Sequence, residues 1–159
     1  CLRVLGAGAL LQPVDLCLDP QGTLWISDAL RGQILGLDPK TGERRGSRGA
    51  GALRRPEGLA CDQQGRIFVS DRASNRILRF DPNAGLDLSI GTEGLGPQGL
   101  LGPRGLSIGQ DGNLTVVDHG NHRCMVFSPA GEFVRAYGSK LHVRPAMQPD
   151  IFDAQGKRR

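Results

Sequence analysis

Aromatic side chains are scarce in this chain, at 4% of its 159 residues. Stacking platforms of the kind that single-strand nucleic-acid binders use are correspondingly few. No apolar run approaches the roughly 18 residues of a membrane-spanning helix, so no membrane partner is expected. No segment sustains a helical period, which argues against a bundle. There is no CxxC pair, and no GxSxG, HExxH, P-loop or Rossmann pattern. The chain opens on Cys1 without an initiator Met or a signal-peptide pattern, and we expect it to begin partway through a longer product. Glycine is what it has in excess, 24 residues, which suits many short strands joined by tight turns. The formal charge of +4 and pI near 9.2 permit a polyanionic partner without demanding one.

One stretch reads like chemistry. Asp118 to Phe127, DHGNHRCMVF, holds a carboxylate, two histidines, an arginine and a cysteine within seven residues. It is not unique. DRASNRILRF begins at Asp71 and DALRGQILGL at Asp28, and each follows a matching segment: LDPQGTLWIS, CDQQGRIFVS and IGQDGNLTVV. A proline precedes each in QPVDL, RPEGL and GPRGL. Pro13 to Pro56 and Asp28 to Asp71 are both 43 residues apart, and Pro56 to Pro103 and Asp71 to Asp118 are both 47 apart. The four extra residues fall in a Gly-rich loop between Phe80 and Pro103. The chain is a three-fold internal repeat.

Within the third repeat, RGLSI, NLTVVD, RCMVF and EFVRAY are short strand-like runs separated by the QDGN, HGNH and SPAG turns. Four such strands form an antiparallel meander, and a four-stranded unit recurring every 40 to 50 residues predicts a propeller blade. The expected fold is all-β: an open, partial β-propeller. Its expected divisions are the last strand of a preceding blade in 1–11, blades in 12–54, 55–101 and 102–144, and a tail or divergent blade start in 145–159.

The motif P-x-G-L, then D-x-x-G-x-[IL]-x-V-x-D-x-x-N-x-R-[IV]-x-x-F, resembles the NHL repeat. RPEGLACDQQGRIFVSDRASNRILRFDP and GPRGLSIGQDGNLTVVDHGNHRCMVFSPAGEFVRAYG follow it well. The first repeat departs at Gly32 and Gln33, where the motif has asparagine and arginine. The resemblance implies a β-propeller, commonly six-bladed, that binds partners. In cytosolic proteins of this type the propeller often follows RING, B-box and coiled-coil segments and selects the substrate of a ubiquitin ligase, or binds RNA. It also leaves an alternative, a piece of a metal-dependent peptide-processing lyase. Those enzymes carry histidines near the ring axis on several blades, whereas this chain has only His119, His122 and His142, all late.

The repeat also sorts the tempting residues. Asp118 matches Asp71 and Asp28 and is expected to hold the second-to-third strand loop through local backbone hydrogen bonds. Arg76 and Arg123 are expected to pair with these aspartates. Cys124 replaces Ile34 and Ile77 and is expected to face the blade core, away from the loop histidines. Cys17, Cys61 and Cys124 are read as buried free thiols, which favours a reducing, cytoplasmic setting. We expect no catalytic residue, no cofactor and no metal.

An up-and-down blade puts the second-to-third strand loop and the blade-to-blade connection at one end. That end carries Arg31, Arg48, Arg54, Arg55, Arg72, Arg76, Arg104, Arg123, Lys140 and Arg144 against Asp15, Asp28, Glu57, Asp71, Glu93 and Asp118. The other end carries Asp19, Asp38, Glu43, Asp62, Asp81, Asp87, Asp111 and Glu132 against Lys40, Arg44, Arg45 and Arg66. The candidate binding face is therefore basic, with Arg31, Arg54, Arg55, Arg72, Arg76, Arg104, His119, His122 and Arg123 as its residues. A protein partner is expected ahead of RNA, and further blades or a second copy are expected to close the ring.

Overall fold

The computed structural model describes residue 8, residues 10–96 and residues 98–138. Lys140, Arg144, His142, Cys1 and the 145–159 tail lie outside the described residues. Three antiparallel four-stranded sheets follow one another in strict sequence order. The first holds β1 (Pro13–Leu18), β2 (Leu24–Asp28), β3 (Gln33–Leu37) and β4 (Arg44–Arg48). The second holds β5 (Pro56–Cys61), β6 (Ile67–Asp71), β7 (Arg76–Asp81) and β8 (Gly85–Ile90). The third holds β11 (Pro103–Ile108), β12 (Leu114–Asp118), β13 (Arg123–Phe127) and β14 (Phe133–Tyr137). Between the second and third, β9 (Thr92–Glu93) and β10 (Gly99–Leu100) make a short parallel pair within the Gly-rich insertion.

The repeat is visible in the register. Pro13 faces Asp28, Pro56 faces Asp71 and Pro103 faces Asp118, and each first strand slips by a bulge before pairing resumes at Leu16, Leu59 and Leu106. Neighbouring sheets meet through their first strands, β1 against β5 and β5 against β11. The sheets therefore converge at β1, β5 and β11 and fan outward, as blades do around an axis.

Strand alternation sends side chains to the two neighbours in turn. Trp25 and Ile34 from the first sheet, with Leu53, meet Leu59, Ile67, Val69, Leu78 and Phe80 of the second. Phe68, Ile77, Ile90 and Leu100 meet Leu114, Val116, Met125 and Phe127 of the third. The three sheets do not close a ring. Leu16 and Leu18 on β1, and Val117 and Tyr137 on the third sheet, remain exposed.

The cysteine expectation is corrected for two residues. Cys17 and Cys61 form a disulfide, with Cα atoms 6.0 Å apart. Cys17 lies on the β1 face turned to the second sheet and Cys61 on the β5 face turned back, so the bond staples the two blades at their inner strands. The reading of a reducing compartment rested on free thiols and loses that support. Cys124 is a free, half-buried thiol.

The aspartates do more than hold a local loop. Asp28, Asp71 and Asp118 are fully buried. Asp28 accepts backbone N–H groups from Leu11 at 2.7 Å and Gln12 at 3.1 Å, Asp71 from Arg55 at 2.8 Å and Arg54 at 3.1 Å, and Asp118 from Leu101 at 2.7 Å. These donors belong to the connection that enters each sheet, so each carboxylate ties the second strand to the chain arriving at the first. Only Asp28 also reaches its own loop's backbone, at Arg31 N.

A basic end and its arginine cluster

The second-to-third strand loops share one backbone solution. Gly32, Asn75 and His122 occupy equivalent places and all take the left-handed region, with φ of 59°, 52° and 52°. Glycine is required at 32, where a Cβ would stand 2.7 Å from the Leu53 carbonyl oxygen. Asparagine and histidine tolerate this region better than most residues, which leaves the His122 side chain displayed on the surface.

The motif arginines point inward. Arg123 is buried, donating from Nε to Asp118 at 2.8 Å and from its Nη2 to the carbonyls of Gly96, at 2.9 Å, and Gly99. Asn121 adds a bond to the Gly94 carbonyl at 3.1 Å. Together they grip the Gly-rich insertion. Arg76 departs from expectation: it donates to the Ala52 carbonyl at 3.0 Å, in the incoming connection, in place of its loop aspartate. Arg76 and Arg123 both spend donors on backbone carbonyls within the fold, Arg123 buried and Arg76 half-buried.

Three other arginines converge. Glu57, the second residue of β5, lies against Arg72 at 3.1 Å, Arg104 at 3.6 Å and Arg55 at 3.7 Å. Its side chain is 12% exposed, while those of Arg72, Arg104 and Arg55 are 36%, 42% and 49% exposed. Arg54 is exposed beside them, and Arg31 sits apart on the first sheet, 3.6 Å from Asp28. Glu57 is the residue that sequence reasoning passed over, counting it only as one acid at this end. The repeat contained the signal. Glu57 and Arg104 follow the two equivalent prolines, and packing of β5 on β11 sets them side by side.

His119 and His122 lie elsewhere, on the outward face of the third sheet. With Val117, Arg123, Cys124 and Tyr137 they line an open depression of about 400 Å³. Cys124 thus shares a surface with the histidines, contrary to expectation, because its face is the one a following blade would cover. Among the described residues no group of three or more His, Cys, Asp or Glu side chains is placed to hold a metal ion.

The opposite end is acidic in composition, and all of its acids but Glu43 and Glu132 are engaged. Asp38 pairs with Arg45, Arg66 with Asp62 and Arg79 with Asp87. The turn aspartates also accept their own turns' N–H groups, at Lys40 and Thr41 for Asp38 and at Asn83 and Ala84 for Asp81. Those backbone donors hold the carboxyls of Asp38, at about 2, and of Asp81 below the ordinary value.

This geometry agrees with sequence comparison. The NHL repeat family matches residues 53–80, which run from the connection before β5 to the last residues of β7. The chain carries an NHL repeat. A comparison with curated proteins finds no match. Solved structures with the same arrangement include virginiamycin B lyase of Staphylococcus aureus, at 17% identity and a TM-score of 0.66 over 80% of this chain and 41% of that one. Hydrazine synthase of Kuenenia stuttgartiensis is 22% identical with a TM-score of 0.68, covering 87% of this chain and 38% of that one. A streptogramin B lyase is 16% identical with a TM-score of 0.66, covering 80% and 40%. At these identities the likeness is one of fold, that of a propeller. The chain spans about two-fifths of the length of these structures. Among the described residues no helix is long and apolar enough to cross a membrane.

Proposed function

We propose that this chain is a non-enzymatic interaction module that binds a protein partner through its basic end. The observation that carries this reading is the unequal pairing of the two ends. Six of the eight acids of one end, all but Glu43 and Glu132, are taken up by turn N–H groups and neighbouring side chains, whereas at the other end Arg54 is exposed, Arg55, Arg72 and Arg104 keep exposed guanidinium surface around a single buried Glu57, and Arg31 does so beside Asp28. Loops on a rigid scaffold are where binding groups concentrate. In a longer protein with a RING segment such a module would select the substrate. The alternative, a piece of a metal-dependent lyase, needs metal ligands that this chain's described residues do not bring together. We further propose that additional blades or a second copy cover Leu16 and Leu18 on one side and Val117 and Tyr137 on the other.

The test is charge reversal at each end. Proteins captured by the wild-type chain should be lost with Arg55→Glu, Arg72→Glu and Arg104→Glu combined, at unchanged β content by circular dichroism. They should be retained with Arg44→Glu and Arg45→Glu at the opposite end. Equal retention by both variants removes the basic end from the account.

A further inference from the structure

The cluster around Glu57 has a stoichiometry that surface ion pairs lack. Three guanidiniums, from three separate elements, face one carboxylate. Arg55 comes from the incoming connection, Arg72 from the loop after β6 and Arg104 from the first strand of the next sheet. Only one of the three contacts, from Arg72 Nη1 to Glu57 Oε1 at 3.1 Å, is a hydrogen bond. The Arg104 and Arg55 contacts, at 3.6 and 3.7 Å, exceed hydrogen-bond length. Arg104 Nε is out of solvent and has no hydrogen-bond acceptor. Buried donors without acceptors are rare and costly. The cluster therefore holds two positive charges in excess and unused donors, on backbone that strand pairing and the Asp71 clamp keep fixed.

We propose that Arg55, Arg72 and Arg104 form a carboxylate cradle that takes an Asp or Glu side chain from an acidic segment of a protein partner. This proposal rests on the reading of the basic end as the binding face and narrows it to one site and one chemistry. Glu57 already demonstrates the fit from within, since the three side chains are arranged around a carboxylate. A guanidinium fork matches a carboxylate with two parallel N–H donors, and such charge-assisted pairs are the stronger hydrogen bonds. An incoming acid would take the exposed guanidinium donors that Glu57 leaves free, and would compete with Glu57 for the rest. Nucleic acid fits less well. The loops around the cradle, residues 29–32, 49–55, 72–75 and 101–102, contain no Tyr, Phe or Trp on which a base could stack. His119 and His122 stand apart on the third sheet.

The test uses the chain with a fluorescent decaglutamate peptide and, in parallel, a fluorescent decauridylate, read by anisotropy at low and physiological salt. Decaglutamate should bind, and Arg72→Gln with Arg104→Gln should weaken it by about tenfold or more, the loss expected for charge-assisted hydrogen bonds. Glu57→Gln should tighten it, because an internal competitor loses its charge, and this gain should shrink as salt rises. A gain of binding at unchanged circular dichroism and urea midpoint cannot come from a misfolded variant, so Glu57→Gln keeps the test decisive if the double substitution perturbs the sheet. Arg31→Gln with Arg54→Gln should change affinity less than about twofold, as exposed single charges do. If Arg31→Gln with Arg54→Gln abolishes binding while the cradle variant binds as wild type, the cradle is wrong and the basic end stands. If decauridylate alone binds, and through the same arginines, the ligand is nucleic acid and the proposal is overturned. If neither probe binds at low salt, both the cradle and the basic-end reading fall.

Discussion

The two joints between sheets are built on one backbone plan and held by different chemistry. At both, a serine near the end of the second strand donates to a carbonyl at the start of the next sheet: Ser27 to Glu57 at 2.6 Å, and Ser70 to Arg104. Elsewhere they diverge. The first joint has Asp15, whose carboxylate accepts the Leu59 N–H at 2.9 Å, and the Cys17–Cys61 disulfide. The second has Gly58 at the place of Asp15, where a Cβ would lie 2.2 Å from the Arg104 carbonyl oxygen. At the places of the two cysteines stand Ala60 and Ile108. Both joints share an apolar core and a serine bond; to these the first adds a carboxylate–backbone bond and a disulfide, and the second adds close backbone approach and the Glu57–Arg104 ion pair. Repeat proteins derive stability from such nearest-neighbour interfaces, so the joints should fail separately and for different reasons.

The largest expected effect is at the second joint. Phe68 is 2% exposed and fills the space between the second and third sheets. Phe68→Ala should destabilise by about 4 kcal/mol through lost burial and a residual cavity, read as a lowered midpoint in urea. Cys17→Ser comes next, at about 3 kcal/mol, because the bond closes a loop between residues 44 apart in the chain. Adding reductant to the wild type should reproduce that loss and should add nothing to Cys17→Ser. A wild-type melting curve indifferent to reductant would remove the staple from the first joint.

Gly58→Ala sharpens the comparison from the other side. The added methyl meets backbone and not a movable side chain, so β5 and β11 must separate, at about 2 kcal/mol. The shift should also draw Arg104 away from Glu57, so decaglutamate binding should weaken although no charge has changed. Alanine at position 15, where the backbone already carries a Cβ, should cost less. Ser70→Ala follows at about 1.5 kcal/mol, since its hydroxyl serves both the Gly58 N–H, at 2.8 Å, and the Arg104 carbonyl. The third sheet has Val117 at this place, exposed and without a hydroxyl to offer a following blade.

What could be read from the chain followed its periodicity. Proline, turn glycine and aspartate recur at fixed spacing, and each fixes a local backbone feature, so the sheets and their order were legible. What was missed depends on which residues of different repeats face each other across a joint. Cys17 and Cys61 are one residue out of repeat register, so alignment by position keeps them apart. Strand alternation turns Cys17 forward and Cys61 back, and the offset is what makes them meet. Glu57 was hidden for a related reason. Charges were summed by end, and a sum cannot show that one carboxylate gathers three guanidiniums. Arg76 was misassigned because the connection before the blade offers it the Ala52 carbonyl, at 3.0 Å, an acceptor that positional alignment does not show.

The smallest expected effect lies away from both joints, in the outer hairpins. Asp38 opens the turn between β3 and β4, and Asp81 opens the one between β7 and β8, while Ser128 holds the corresponding place in the third sheet. The N–H groups of Thr41 and Lys40 lower the Asp38 carboxyl to about 2 from 3.8, against a partial desolvation and with help from Arg45. A folded value below the unfolded one means that the ionised form stabilises the turn. That contribution is complete above pH 3.8 and is lost as pH falls toward 2. Carboxyl NMR titration should therefore show Asp38 with a midpoint near 2, and Asp81 also displaced below the ordinary value. Between pH 4 and 2 wild-type stability should fall more than that of Asp38→Asn, whose amide does not titrate. An ordinary midpoint for Asp38 would return its charge to solvent, and the contrast between an occupied acidic end and an unoccupied basic one would weaken with it.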